Sequence, residues 1–267
     1  KLLRFLRITG GAPGHTGKDQ IGKLLWLRRY QPEIFQKAHK FLDAKDFIIF
    51  KMTGQCITSV DLAVVWWLLD TRQRRNQWDP GLCKLAGVVP DKLSDVKESA
   101  TVVGHLTPSA AASMGLAPNT AIINGAGDLS TAALGSGAIN EGELHIALGT
   151  SDWVAGHFSK RKIDLAHYTG CFGSSYPQKY YLAMAHQETG AVCLDWFKNL
   201  VFTKANPGQG EEVEVRKYQE INGWAAQSPV GAKGLFFLPW MYGERCPIND
   251  DLARAGFFNL SLHHGPS

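Results

Sequence analysis

From Asn124 to Trp153 the chain reads NGAGDLSTAALGSGAINEGELHIALGTSDW, and this stretch limits its fold more than any other. The β-branched run TAIIN (120–124) reads as a short strand that stops on GAGD. LSTAALGSG (129–137) then reads as a small-residue helix that ends in glycines. GELHIAL and DWVAGHF (142–148 and 152–158) read as two strands joined by the tight turn Gly149-Thr150-Ser151. One carboxylate, Asp128, stands on the glycine loop after Gly125 and Gly127, where the lack of side chains lets a substrate approach the backbone closely. At the end of a strand it lies where open α/β sheets commonly bind ligands. Equally, Asp128 reads as a plain N-cap for a helix that begins at Leu129. The turn has the same two readings. Its backbone N–H groups and two hydroxyls suit phosphate oxygens, and it is also an ordinary hairpin turn.

Upstream of Thr120 the sequence is mostly helical. Residues 21–42 read as two short helices split by YQPE, with Pro32 at a first helical position. KDFIIFKMTGQ reads as a helix closed by Gly54, and NQWDPGLCKLAGV as a helix from Pro80 to Gly87. SVDLAVVWWLLDT (59–71) fits a helix or a buried strand alike, because an unbroken apolar run has no period to separate them. Within it, Trp66-Trp67 reads either as core or as a contact surface such as a homodimer would use. Downstream, KYYLAMA and GLFFLP read as strands, TGAVCLDWFKNLV as a helix and TKANPGQGEEVEV (203–215) as loop. The change from helices to hairpins places a domain transition in LGSGAINEG (134–142).

Composition excludes several classes. A net charge of +4 over 267 residues leaves no basic excess for nucleic acid, and the short runs TRQRR and SKRK read as solvated surface. Five scattered cysteines without CxxC spacing make neither a disulfide framework nor a zinc site, which points to a reducing, cytoplasmic setting. The histidine pair His263-His264 reads as loop, so no metal site is expected. The opening KLLRFLRITGG is interrupted by arginines and gives no secretory leader, and the apolar run LAVVWWLL is too short to cross a membrane. GGAPGHTGKD (10–19) resembles a phosphate-binding Walker loop but has Ala12 where the first glycine belongs. Asp19 follows its lysine where a hydroxyl belongs, so it is excluded. There is no nucleophile elbow around GTSDW.

Three stretches together resemble one family. GAGDLSTAALGSGAINEGELHIALGTSDWV is similar to the central signature of the FGGY carbohydrate kinases. GLFFLPWMYGERCPINDDLARAGFFNL is similar to that family's apolar strand followed by a G-E-R-x-P segment. GKLLWLRRYQPEIFQKAHKFLDAKDFIIFKMTGQ matches its K-L-x-W-L, K-D-[FY] and T-G order. The resemblance departs at Gln20, where Pro, Ser or Thr is usual, and at Ala255 and Asn259, where glycines are usual. It departs also at Leu129, where many members carry an Asn or Gln that touches the substrate. Of these, Asn259 tolerates the left-handed backbone a glycine would supply.

The resemblance implies an α/β fold with two actin/hexokinase-like (ribonuclease-H-like) domains around a cleft, both incomplete in this chain. Residues 1–134 would be the later part of an N-terminal sugar-binding domain, and 135–267 the early part of a C-terminal nucleotide-binding domain. The D-x-G-T-type hairpin, the M-H-G-like motif and the adenine-site glycines have no match here, so the chain resembles the middle of a longer kinase and is expected to be inactive alone. The implied activity is ATP- and Mg2+-dependent phosphorylation of a sugar or polyol, foremost a ketopentose such as xylulose. Gluconate, a ribulose, a deoxyketose or glycerol are alternatives, as is a non-catalytic sugar-binding remnant. In the family's scheme Asp128 is the general base, Gly127 and Leu129 lie near the substrate, and Gly149, Thr150 and Ser151 line the phosphate site.

Overall fold

A computed structural model describes residues 2–14, 17, 19–164, 166–202 and 211–265. His15, Thr16 and Lys18 of the excluded phosphate-loop look-alike lie outside the described residues, as do 203–210 of the stretch read as loop. The chain divides into two compact units. The first comprises Lys1–His145, Ala155–Leu165 and Thr169–Met184; the second comprises Ile146–Val154, Ala166–Tyr168 and Ala185–Ser267.

The first unit opens with helices α1 (Leu2–Thr9), α2 (Gln20–Tyr30), α3 (Pro32–Lys37) and α4 (Ala44–Thr53). Their limits follow from local chemistry. Pro32 occupies the first turn of α3, where its missing N–H costs nothing. Asp43 caps α4 by accepting from Ala44 N–H, and Gly54 ends it at φ 75°, in the left-handed region. The ambiguous apolar run resolves into both readings. Strand β1 (Ile57–Ser59) leads into the single-turn helix α5 (Val60–Val64), and the chain then turns into β2 (Leu69–Asp70). Trp66 and Trp67 are each only 7% exposed and join the main core with Phe5, Leu24, Leu68 and Leu82, so they are core residues. Asp70 is buried beside this core. Burial pushes its carboxyl up, but the hydrogen bonds and charges of Arg72 and Arg75 prevail and hold it below its usual range.

Strand β3 (Gln77–Trp78) pairs antiparallel with β2, and α6 (Pro80–Ala86) follows, capped by Asp79 on the Leu82 N–H and ended by Gly87. Strand β4 (Asp95–Lys97) lies parallel to β1 with Thr58 opposite Val96. Strand β5 (Val102–His105), helix α7 (Pro108–Met114) and strand β6 (Ala121–Ile123) complete a bulged antiparallel pair, β5 with β6. Helix α8 (Asp128–Gly135) comes next.

Strands β7 (Leu144–Leu148), β8 (Asp152–Phe158), β9 (Gly170–Gly173) and β10 (Tyr181–Gln187) form a four-stranded sheet in the order β7-β8-β10-β9. In the second unit α9 (Val192–Val201) and α10 (Glu211–Gln227) share an ionic cluster, in which Lys198 Nζ lies 2.7 Å from Glu214. Phe202 and Trp224 stack at 5.5 Å. Because α10 begins at Glu211, the reading of EEVEV as loop is corrected: these residues open a helix of 17 residues. Strands β11 (Phe236–Leu238) and β12 (Gly256–Phe258) form an antiparallel pair, and just after it Asn259 holds φ 61°. It adopts there the left-handed conformation expected of a residue in a glycine's place. Among the described residues no helix is long and apolar enough to cross a membrane.

Candidate active site

Asp128 is the first residue of α8, and the N-cap is Gly127, not Asp128. Its carboxylate is exposed and accepts from the next backbone N–H, that of Leu129, at 2.9 Å. Thr131 Oγ1 donates to the carbonyls of Gly127 and Asp128, both at 3.1 Å, which tightens the first turn. The structure thus brings Gly127, Asp128 and Leu129 together at the head of one helix.

The loop before this helix is held from several sides. Asn124 is 1% exposed, and its side-chain amide donates to the carbonyls of Thr58, Lys97 and Glu98 at 3.0–3.3 Å. Lys45 Nζ donates to the Asn124 backbone and side-chain oxygens at 2.9 and 3.2 Å. The same ammonium lies 2.9 Å from Asp46, a carboxyl that burial pushes above its ordinary value. Gly125 turns the chain at φ 74°, a conformation that favours glycine, and donates its N–H to Ser99 O at 2.9 Å. Gly127 N–H donates to Asp61 Oδ2 at 2.6 Å, a charge-assisted bond.

Gly149, Thr150 and Ser151 form the bend between β7 and β8, in the second unit. The bend is tied to the segment before α9: Gly149 O accepts from Ala191 N–H at 2.7 Å, and Thr150 O from Gly190 N–H at 2.9 Å. Ser151 Oγ meets His186 Nε2 at 3.2 Å. Gly149 N–H, expected to face an anion, donates to Asp152 Oδ1 at 3.1 Å. Nearby, Glu244 of the G-E-R-x-P segment is 3% exposed. Its Oε1 accepts from Glu188 N–H at 3.1 Å and Arg245 N–H at 2.7 Å, while the Arg245 side chain lies 2.8 Å from Glu188.

Sequence reasoning passed over Asp61, Asn124, Lys45 and Ser99 in the first group, and Asp152, Gly190 and Glu244 in the second. One signal was present for Asp61: a lone acid in the apolar run SVDLAVVWW must be buried, and buried carboxylates take partners. Among the described residues no cluster of three or more His, Cys, Asp or Glu side chains suits a metal ion. The buried thiol of Cys83 is pushed up to about 11 by burial, which keeps it protonated and inert.

The sequence model for the FGGY family of carbohydrate kinases, N-terminal domain, matches residues 6–135, a span that closes at the end of α8. Those residues belong to the FGGY family. The relatives of this FGGY segment extend over the rest of the chain as well. Xylulose kinase of Escherichia coli (strain K12) is 30% identical over 266 residues, covering 97% of this chain and 50% of its own length. Gluconokinase of Bacillus licheniformis is 27% identical over 254 residues, covering 95% of this chain and 48% of its own. Among solved structures, a ligand-bound xylulose kinase from Lactobacillus acidophilus superposes with a TM-score of 0.83 at 27% identity, covering 99% of this chain and 51% of that one. The chain has the actin/hexokinase-like α/β fold of these FGGY sugar kinases and spans about half the length of the curated relatives it matches.

Proposed function

We propose that the protein containing this chain transfers the γ-phosphoryl group of ATP to a hydroxyl of a sugar or polyol, foremost a ketopentose such as xylulose. The observation that carries this reading is the exposed Asp128 carboxylate at the head of α8, on a clamped glycine loop inside the segment matched by the FGGY domain. As the sugar oxygen attacks the γ-phosphorus, Asp128 takes the hydroxyl proton, and the bond from that phosphorus to the departing ADP oxygen breaks. General-base help of this kind contributes about 10²–10⁴-fold. The larger share comes from positioning and from neutralising charge on the group in flight.

In the same reading residues 1–134 belong to the sugar-binding domain and 135–267 to the nucleotide-binding domain, and the FGGY match ending at residue 135 supports that division. Gly127 and Leu129 face the sugar. The bend at Gly149, Thr150 and Ser151 serves the phosphates through its hydroxyls and its remaining N–H groups, since that of Gly149 is bonded to Asp152. Mg2+ arrives with ATP as part of the substrate. The reaction is placed in the cytoplasm, where ATP is supplied.

Gluconate is the second reading of the substrate, favoured by the gluconokinase relatives. The test is ADP release by the intact protein with xylulose, ribulose, a deoxyketose, gluconate and glycerol in turn. The proposal expects release that depends on one of these acceptors. Sugar binding with no release on any of them would mark a non-catalytic remnant and refute it.

A further inference from the structure

The loop that carries Asp128 is closed by a ring of hydrogen bonds that the base itself does not make. Gly125 N–H donates to the carbonyl of Ser99 at 2.9 Å. The hydroxyl of the same serine donates to Asp61 Oδ1 at 3.3 Å, and Asp61 Oδ2 accepts from Gly127 N–H at 2.6 Å. Asp61 therefore joins the two ends of the Gly125–Gly127 segment through one carboxylate. It lies in α5, is only 7% exposed, and stands 66 residues before its partner in sequence. The fit at Gly127 is close: a Cβ there would lie 3.1 Å from Leu62 Cδ2 and 3.3 Å from Asp61 Oδ2. A glycine at 127 is what lets the buried carboxylate reach the backbone.

We infer that Asp61 is a positioning residue for phosphoryl transfer: it fixes the peptide immediately before Asp128 and so sets where the base carboxylate points. The inference rests on the reading of Asp128 as general base. A general base acts only within hydrogen-bond reach of the proton it removes. Loss of alignment by about an ångström costs on the order of 10²-fold in rate. A carboxylate with no role beyond stability would leave the turnover of correctly folded molecules untouched.

The experiment compares Asp61→Ala, Asp61→Asn, Ser99→Ala and Asp128→Asn in the intact protein, with kcat, both KM values and the melting temperature measured for each. Asp61→Ala removes the acceptor, and kcat is expected to fall about 10- to 100-fold with little change in the KM for ATP. Asp61→Asn keeps an oxygen for Gly127 N–H, and its kcat should return to within about fivefold of wild type. Ser99→Ala loosens only the second oxygen and should lower kcat about two- to tenfold. It supplies the result if Asp61→Ala does not fold. If Asp128→Asn abolishes turnover while folded Asp61→Ala or Ser99→Ala keeps wild-type kcat, the positioning role is overturned and the base stands. Full turnover in Asp128→Asn would overturn the base reading, and this inference with it.

Discussion

Asn124→Ala tests how the loop before the base is anchored. The wild-type side chain ties together β1 through Thr58 O, the end of β4 through Lys97 O and Glu98 O, and α4 through Lys45. Alanine removes both amide N–H groups and the oxygen that accepts from Lys45, in a position that is 1% exposed. Each lost bond contributes about 0.5–1.5 kcal/mol net, and a buried carbonyl left without its donor costs about 1–3 kcal/mol. Lys45 keeps Asp46 and the Asn124 backbone carbonyl as partners, so its loss weighs least. The sum is about 2–4 kcal/mol of stability. Urea unfolding of the intact protein measures it as a lower midpoint with an unchanged slope. Amide exchange should quicken at Gly125 and Gly127 beyond the general increase, because their loop loses its nearest anchor. A variant within about 0.5 kcal/mol of wild type, with exchange unchanged at those two glycines, would refute the reasoning.

The other predictions concern separate parts of the molecule. Leu82→Ala, at a fully buried site in the main core, should cost about 2–5 kcal/mol in the same unfolding assay. Gly190→Ala places a methyl against the Asp152 carboxylate, so the bond from Gly149 N–H should break. The expected result is a raised KM for ATP with unchanged sugar affinity, read by steady-state kinetics and calorimetry. Lys198 and Lys217 bond Glu214 and lower its carboxyl to about 2. A lowered folded-state value contributes stability above the unfolded value, and that contribution is lost as pH falls from about 4.5 towards 2. Glu214→Gln should therefore flatten the acid limb of the stability profile, and NMR titration should find the wild-type carboxylate still ionised at pH 3.5.

Helix ends were legible because their chemistry is local. Pro32, Pro80, Gly54 and Gly87 stand within one turn of the boundaries they set. The run from Ser59 to Thr71 was not legible, since β1, α5 and β2 are all buried and leave no polar face to supply a period. A positive φ at Trp67 turns the chain there, and no propensity favours that residue in such a conformation. The start of α10 is obscured in the sequence by the preceding Pro-Gly stretch, while its ionic links to α9 through Glu214 come from tertiary structure. At the candidate site the glycine loop and Asp128 could be read from sequence. The N-cap reading missed by one residue: Gly127 caps α8, and Asp128 is left exposed in its first turn. Asp61 and Asn124 were invisible as supports because their partners lie far away along the chain, at separations of up to 79 residues.

The proposed mechanism turns on the exposed Asp128 carboxylate removing the proton from the acceptor hydroxyl. Its most direct test is the single-turnover rate of phosphoryl transfer from ATP in intact Asp128→Asn, with sugar and nucleotide saturating. The expected rate is lowered about 10²–10⁴-fold with nucleotide affinity unchanged; a rate within a few-fold of wild type would remove Asp128 from the role of base.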